Sequence, residues 1–501
     1  MGESNEEMEK NPPKHHAKGS RWPQYLAAVI ANMPGFCNGM ILGWPSVAIP
    51  ILQSADSPLG ELMTNDEVSF VASLVCLVAL FCIPVTNVLS AKFGNKMIGY
   101  TVGASFIAHW IIIISTSSKV WIYIARGIGG LASACVFALC PQYTSEIAED
   151  EIRGMLGVFF ITLFNLGFLF IHVFAAFMSY SPIAITCLIP PVVFLSLFFR
   201  MPETPVNLLL RGKSLEATKS LQWLRGKGAD ITEELGRLKA TVKPAGENMT
   251  MSFKEMFSDP GTRRGVLIVM VLCINSQFTG IFVFLSYLGS IFLEAGSDLS
   301  HITASIIVAT LQLFGTIASS YLVENKGRKF LLILSNLSMT VCLAALGVYF
   351  YLKDIGSDVS GISWLPVTSL SVYVVVLSIG VSPLTFVVLT EICLPAVTKF
   401  ATTMGYCIIW LLTFLLSTFF KTLSDSIGIY VCYWFFAISC TLGALFTHFV
   451  MPETKGRAIQ EIHFELSGRK KSPFGNANSF VYAPASVNDD TELKETTIGD
   501  K

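Results

Sequence analysis

The sequence predicts an all-α membrane protein, with twelve transmembrane helices arranged as two six-helix bundles that repeat one another. Three observations carry that class. The 501 residues are 52% hydrophobic and only 14% charged, whereas soluble domains carry about 25% charged residues, and mean hydropathy is +0.61. The apolar residues are gathered into continuous runs, with Lys and Arg confined to alternate connections. Short charged motifs recur in the same order in the two halves.

A hydrocarbon core of about 30 Å needs roughly 20 apolar residues per helix. Twelve runs qualify, at about 24–48, 67–90, 97–116, 120–142, 154–177, 182–199, 264–293, 301–323, 330–351, 364–390, 400–420 and 428–450. They are continuously apolar and lack a period-two alternation, which favours helices over a barrel. The bundles are expected over 24–200 and 264–450, with tails at 1–23 and 451–501. Between them, 201–263 is polar, with helix-like stretches near 214–226 and 231–241 and a short amphipathic piece, Met251 to Phe257. The last residues, after about 468, are polar and read as disordered.

Orientation follows from the basic residues. With both ends on one side, that side holds thirty of the 34 Lys and Arg. The other holds Lys119, Lys353 and Lys421, and Arg126 lies inside a run. The positive-inside rule then puts both termini in the cytoplasm. All twelve Cys lie in apolar segments, where Cys behaves as a small hydrophobe. No zinc spacing, phosphate-binding Gly-Lys loop or nucleophile–base set is present, so neither a cofactor nor an enzyme is implied. Net charge is −1, which gives no reason to expect nucleic acid.

The halves share three motifs. Met201-Pro202-Glu203-Thr204 follows the sixth run and recurs as Met451-Pro452-Glu453-Thr454 after the twelfth, 250 residues on. Glu146 and Arg153-Gly154 follow the fourth run; Glu391 and Lys399 follow the tenth. Lys92-Phe93-Gly94-Asn95-Lys96 follows the second, and Asn325-Lys326-Gly327-Arg328-Lys329 the eighth. Internal repeats of this kind mark many transporter folds, with a site near midplane between the halves.

With Arg126-x3-Gly130, Tyr143-x2-Glu146, Gln277-x2-Gly280, Glu324-x2-Gly327-Arg328-Lys329, Pro383-x7-Glu391 and Pro452-Glu453-Thr454-Lys455-Gly456-Arg457, the chain resembles the sugar porter family of the major facilitator superfamily. It is most like the insect facilitated trehalose transporter branch. The resemblance covers about 24–465. It implies the major facilitator fold in a plasma membrane, a small-molecule sugar as partner, and function as a monomer within the bilayer.

The resemblance gives the cytoplasmic charges Glu146, Arg153, Glu203, Glu324, Arg328, Glu391, Lys399, Glu453 and Arg457 the role of an inner gate that pairs across the halves. Topology-setting and helix capping are the alternative for any one of them. The first half departs from the pattern: Ala91 stands where the family has an acid, Asn95 and Val206 where it has Arg. A lopsided gate is expected. Arg126 is the one basic residue mid-run, a functional-site hypothesis by default. Its small neighbours Gly127, Gly129, Gly130, Ala132 and Ala134 make a structural pairing the preferred reading.

A sugar path calls for uncharged groups that both donate and accept, and for rings that stack on C–H faces. The candidates are Asn38, Asn165, Gln277, Thr279, Tyr287, Gln312, Phe386 and Trp410, with Gly280 and Pro383 as bends. Ile161, Ser276, Phe282, Ser286 and Ile409 replace polar or ring positions of the family pattern, so the path is less polar than a hexose site. Gly35-Phe36 is followed by Cys37 rather than Asp, and 24–48 holds no acid, which favours a uniporter over a proton symporter. His109 and His172 read as packed side chains. A non-transporting sugar sensor and a carrier of another small organic solute remain as alternatives.

Overall fold

The computed structural model describes residues 21–55, 57–149, 151–226, 228–246, 258–296, 299–457 and 459–468. The piece expected at Met251–Phe257, most of the 1–23 tail and the polar end beyond 468 lie outside the described residues. Twelve described helical segments are long and apolar enough to cross a membrane. Spans one to six are Trp22–Leu52, Asn65–Phe93, Asn95–Ser115, Lys119–Ile147, Arg153–Ala175 and Tyr180–Phe198. Spans seven to twelve are Pro260–Ala295, His301–Val323, Arg328–Asp354, Ser360–Ile392, Phe400–Ile427 and Ile429–Phe449. No strand occurs among the described residues. Each half is a six-helix bundle, and the molecule is a two-bundle membrane protein of the predicted class.

Several helices outrun their apolar stretch. Span four continues to Ile147 and span eleven's helix runs Pro395–Ile427, because hydropathy marks the lipid-facing length and not the hydrogen-bonded length. The intervening polar segment carries helices at Ser214–Arg225 and Thr232–Gly246, where helical stretches were expected. A further turn, Pro205–Leu210, starts with Pro at its first position, where the missing N–H costs nothing. A last helix, Ile459–Ser467, packs on the start of span seven. There His463 Nε2 lies 2.7 Å from Asp259 Oδ2 and Arg264 donates to Leu466 O at 2.8 Å.

Two spans are broken. Span seven divides at Gly280, which adopts φ +85°, a left-handed conformation open to glycine. Span ten divides at Gly380, with φ −110° and ψ −91°, three residues before the bend expected at Pro383. The cause is still Pro383. Lacking an N–H, it leaves the carbonyl of Ile379 without a helical donor, and the Ser319 hydroxyl of span eight donates to that carbonyl at 3.1 Å. A Cβ at Gly380 would stand 2.3 Å from the Ser335 side chain, so span nine fills the notch.

Arg126 is fully buried. Its Nε donates to Val71 O at 2.9 Å and Nη1 to Ile41 O at 2.8 Å, and its guanidinium lies 5.5 Å from the Trp44 ring. It ties spans one, two and four together within one bundle.

Candidate functional site

The repeated motifs build the same device twice, at the face that carries the described ends of the chain. Most Lys and Arg flank this basic face. Spans three and nine begin immediately after glycines of matching shape, Gly94 at φ 93°, ψ 163° and Gly327 at φ 87°, ψ 152°. A helix start leaves N–H groups unpaired and attracts negative charge. Glu203 supplies the acceptor for Lys96 N at 3.0 Å; Glu453 does so for Arg328 N at 3.0 Å and Lys329 N at 3.2 Å. The next residue, Thr204 or Thr454, donates its hydroxyl to Glu146 or to Glu391.

The copies then diverge. Arg328 holds Glu391 with Nη2 at 2.7 Å and Nε at 3.1 Å. In the same place Asn95 offers Glu146 one amide N–H at 3.2 Å, and Gln142 adds another at 2.9 Å. The first half thus lacks the guanidinium, the lopsidedness expected from the sequence. Arg457 pairs with Glu461 and, at 2.6 Å, with Glu465 on the last helix, which raises its pKa. Arg153 donates to Ala148 O at 3.4 Å. These contacts of Glu146, Glu203, Arg328, Glu391, Glu453 and Arg457 all stay within their own half, not across the seam as a closed inner gate requires. The side chains of Glu324 and Lys399 lie outside the described residues.

At the opposite face the halves are joined. Ser46 Oγ of span one accepts Gly289 N–H of span seven at 3.1 Å and also meets His172 Nε2 at 3.1 Å. A Cβ at Gly289 would fall 2.4 Å from Ser46 O, so only glycine allows this approach. Tyr287 donates to Ser417 O at 3.0 Å and lies 3.3 Å from Ser69 Oγ of the other half. Asn65 donates to Asp425 Oδ2 at 2.7 Å.

Between these faces, Asn165 Nδ2 of span five donates to Thr316 Oγ1 at 2.6 Å, and its Oδ1 accepts from Gln312 Nε2 at 3.1 Å, both across the seam. Gln277 accepts from Thr413 at 2.9 Å and donates to Ser276 at 3.0 Å. Asn38 Oδ1 accepts from Ser133 at 2.6 Å. Phe386 lies against Tyr406, and Trp410 stacks on Phe282 at 6.3 Å. Thr279 sits at the break of span seven; its hydroxyl bonds Ser276 O and its carbonyl accepts from Tyr373, both in its own half. Tyr287 belongs to the far closure and not to midplane.

Three buried polar atoms on candidate residues lack any hydrogen-bond partner: Asn38 Nδ2, Gln312 Oε1 and Trp410 Nε1. Two are donors and one an acceptor, the mixture a hydroxyl-bearing solute satisfies. Sequence reasoning missed Ser46, Ser133, Thr316 and Thr413. Small hydroxyls on helices more often bond their own turn, and nothing in a single sequence separates the few that bridge spans.

A two-bundle, twelve-span fold with an uncharged seam closed at one face defines a membrane carrier and not an enzyme. Residues 18–466 match the family model "Sugar (and other) transporter", and the chain belongs to that family. It is 31% identical to the facilitated trehalose transporter Tret1 of Polypedilum vanderplanki over 91% of this chain and 90% of that one. It is likewise 31% identical to the facilitated trehalose transporter Tret1 of Bombyx mori, over 89% and 87%. In fold it is similar to the xylose transporter XylE from E. coli in an inward open conformation, with TM-score 0.73 and 21% identity over 88% of this chain and 99% of that one. The partially occluded inward open form of the same transporter gives TM-score 0.72 at 22% identity, over 87% and 100%.

Proposed function

We propose that this chain moves a sugar, a hexose or a disaccharide such as trehalose, down its gradient across the plasma membrane by alternating access. In this reading the basic face is cytoplasmic, which the Lys and Arg bias supports. The observation that carries the reading is the uncharged seam with orphaned donors and an acceptor, Asn38 Nδ2, Trp410 Nε1 and Gln312 Oε1, the Trp410 ring itself stacked on Phe282. The trehalose-transporter relatives support the substrate class. Asn165, which bonds across the seam, and with it Gln277 and Phe386, are expected to contact substrate.

Uniport rests on span one, which has Cys37 after Gly35-Phe36 and carries no Asp or Glu between Trp22 and Leu52. A proton-coupled carrier needs a group in the path that titrates. Ile161, Ser276 and Phe282 favour a second reading, a less polar organic solute on the same path. Uptake of labelled glucose and labelled trehalose in cells without endogenous sugar transport tests the proposal. Saturable entry of either sugar, unaffected by a protonophore, is expected. If neither enters while the protein stands at the surface, the sugar reading falls; collapse with the protonophore overturns uniport.

A further inference from the structure

One ring, Phe137 of span four, packs on both halves. It meets Phe160 of its own bundle edge-on, with centroids 5.3 Å apart and planes at 80°. Across the seam it meets Tyr406 at 5.4 Å and 63°, and Trp410 at 5.5 Å and 86°. Phe386 backs Tyr406 at 5.4 Å and Phe282 backs Trp410. The layer is matched in depth. Phe137 stands ten residues before the end of span four, about 15 Å along the helix. Tyr406 stands eleven residues after Pro395 on the antiparallel partner, about 16 Å.

Two polar pairs lie one turn further from the basic face, one in each half. Ser133, paired with Asn38, precedes Phe137 by one turn; Thr413, paired with Gln277, follows Trp410 by about one turn. The rings therefore lie beneath the Asn38–Ser133 and Gln277–Thr413 pairs, while Asn165 and Thr316, twelve residues after Arg153 and ten before Lys326, stand level with Phe137. The neighbouring gate charges are taken up within each half, and beside the ring layer Asn87 of span two donates to Thr403 of span eleven at 3.1 Å.

We propose that Phe137 is the gating ring at the basic side of the substrate site and sets the size of solute that passes. Its ring, seated between Phe160 and the Tyr406–Trp410 pair, closes the seam there by edge contacts and leaves them to release substrate. Edge-on ring contacts are weak and carry no hydrogen bond to break, so a closure built from them reopens readily. The size-filter half of this proposal rests on the sugar reading; the gate half does not.

The test uses the full chain in proteoliposomes. The Trp410 part of the fluorescence is taken as the difference from Trp410→Phe, and quenching by iodide is measured. Trp410 is 1% exposed, so the wild-type component should resist quenching. Phe137→Ala, and Phe137→Leu, which keeps most of the volume but no ring, should raise the quenchable population about tenfold, as loss of two edge contacts implies. Phe137→Tyr should behave as wild type. In the Ala variant the ratio of trehalose to glucose uptake should rise. Unchanged quenching in a folded Ala or Leu variant overturns the gate, and an unchanged uptake ratio overturns the size filter. Raised quenching with no entry of either sugar in wild type keeps the gate and removes the sugar reading.

Discussion

Asn95→Arg should restore to the first half the ion pair that the second half possesses. Gly94 and Gly327 share a backbone conformation to within about ten degrees, so an Arg at 95 leaves the helix start in the direction that Arg328 takes. Arg328 reaches Glu391 with contacts of 2.7, 3.1 and 3.2 Å, and its side chain and that of Glu391 are 15% and 25% exposed. Two unit charges at 4 Å attract by about 4 kcal/mol at an effective dielectric of 20. Desolvation, side-chain ordering and the lost Ser90–Asn95 hydrogen bond of 2.7 Å offset most of this, leaving about 1 kcal/mol for a partly exposed pair. In a bundle of this size that is about 2 °C in melting temperature. Thermal unfolding in detergent of Asn95→Arg, Glu146→Gln and the double variant forms a closed cycle. The gain should appear in the wild-type background and vanish with Glu146→Gln. An equal gain in both, or a loss in the first, would refute the reasoning.

Three further outcomes are expected. Gly289→Ala places a methyl 2.4 Å from Ser46 O, so spans one and seven cannot meet; saturable uptake should fall at least about tenfold at normal surface level, as a steric block of one state predicts. Arg126→Gln removes donors from Val71 O and Ile41 O and should lower stability by about 2–4 kcal/mol, seen as reduced yield and melting temperature. Asp259 is pushed up by burial but pulled further down by Thr262 and His463, so its pKa lies below its ordinary 3.8. A depressed carboxyl stabilises the fold above its unfolded pKa and loses that contribution as pH falls through the folded one. Hydrogen exchange over 459–467 should therefore rise only below about pH 4, and Asp259→Asn should show the raised exchange already at neutral pH.

The span count was legible because each run of apolar residues is long, unbroken by charge and flanked by Lys or Arg. The difference between the two charge clusters was legible too, since Asn95 and Arg328 occupy matching places beside matching glycines. What the sequence concealed depends on which face a residue presents. Thr279, Gln277 and Asn38 read alike as polar path residues, and each bonds within its own bundle, while Tyr287 meets Ser69 of the other half. Phe137 looked like one more apolar residue, because its role comes from touching a span some 270 residues away. The break at Gly380 was displaced from Pro383 because a proline acts on the carbonyl four residues before it.

The self-pairing of the seam bears on which solutes it can admit. Asn165, Thr316 and Gln312 bridge the halves by bonds of 2.6 and 3.1 Å, while Asn38 Nδ2, Gln312 Oε1 and Trp410 Nε1 stay unpaired. A solute that enters must replace those bonds one for one. A hydroxyl both donates and accepts, so the exchange nets only about 1 kcal/mol per bond in either direction. A charged or purely accepting solute would leave Asn165 or Gln312 unpaired in a buried site and be rejected. Binding by exchange keeps the loaded state close in free energy to the unloaded one, so a bound solute leaves as readily as it enters.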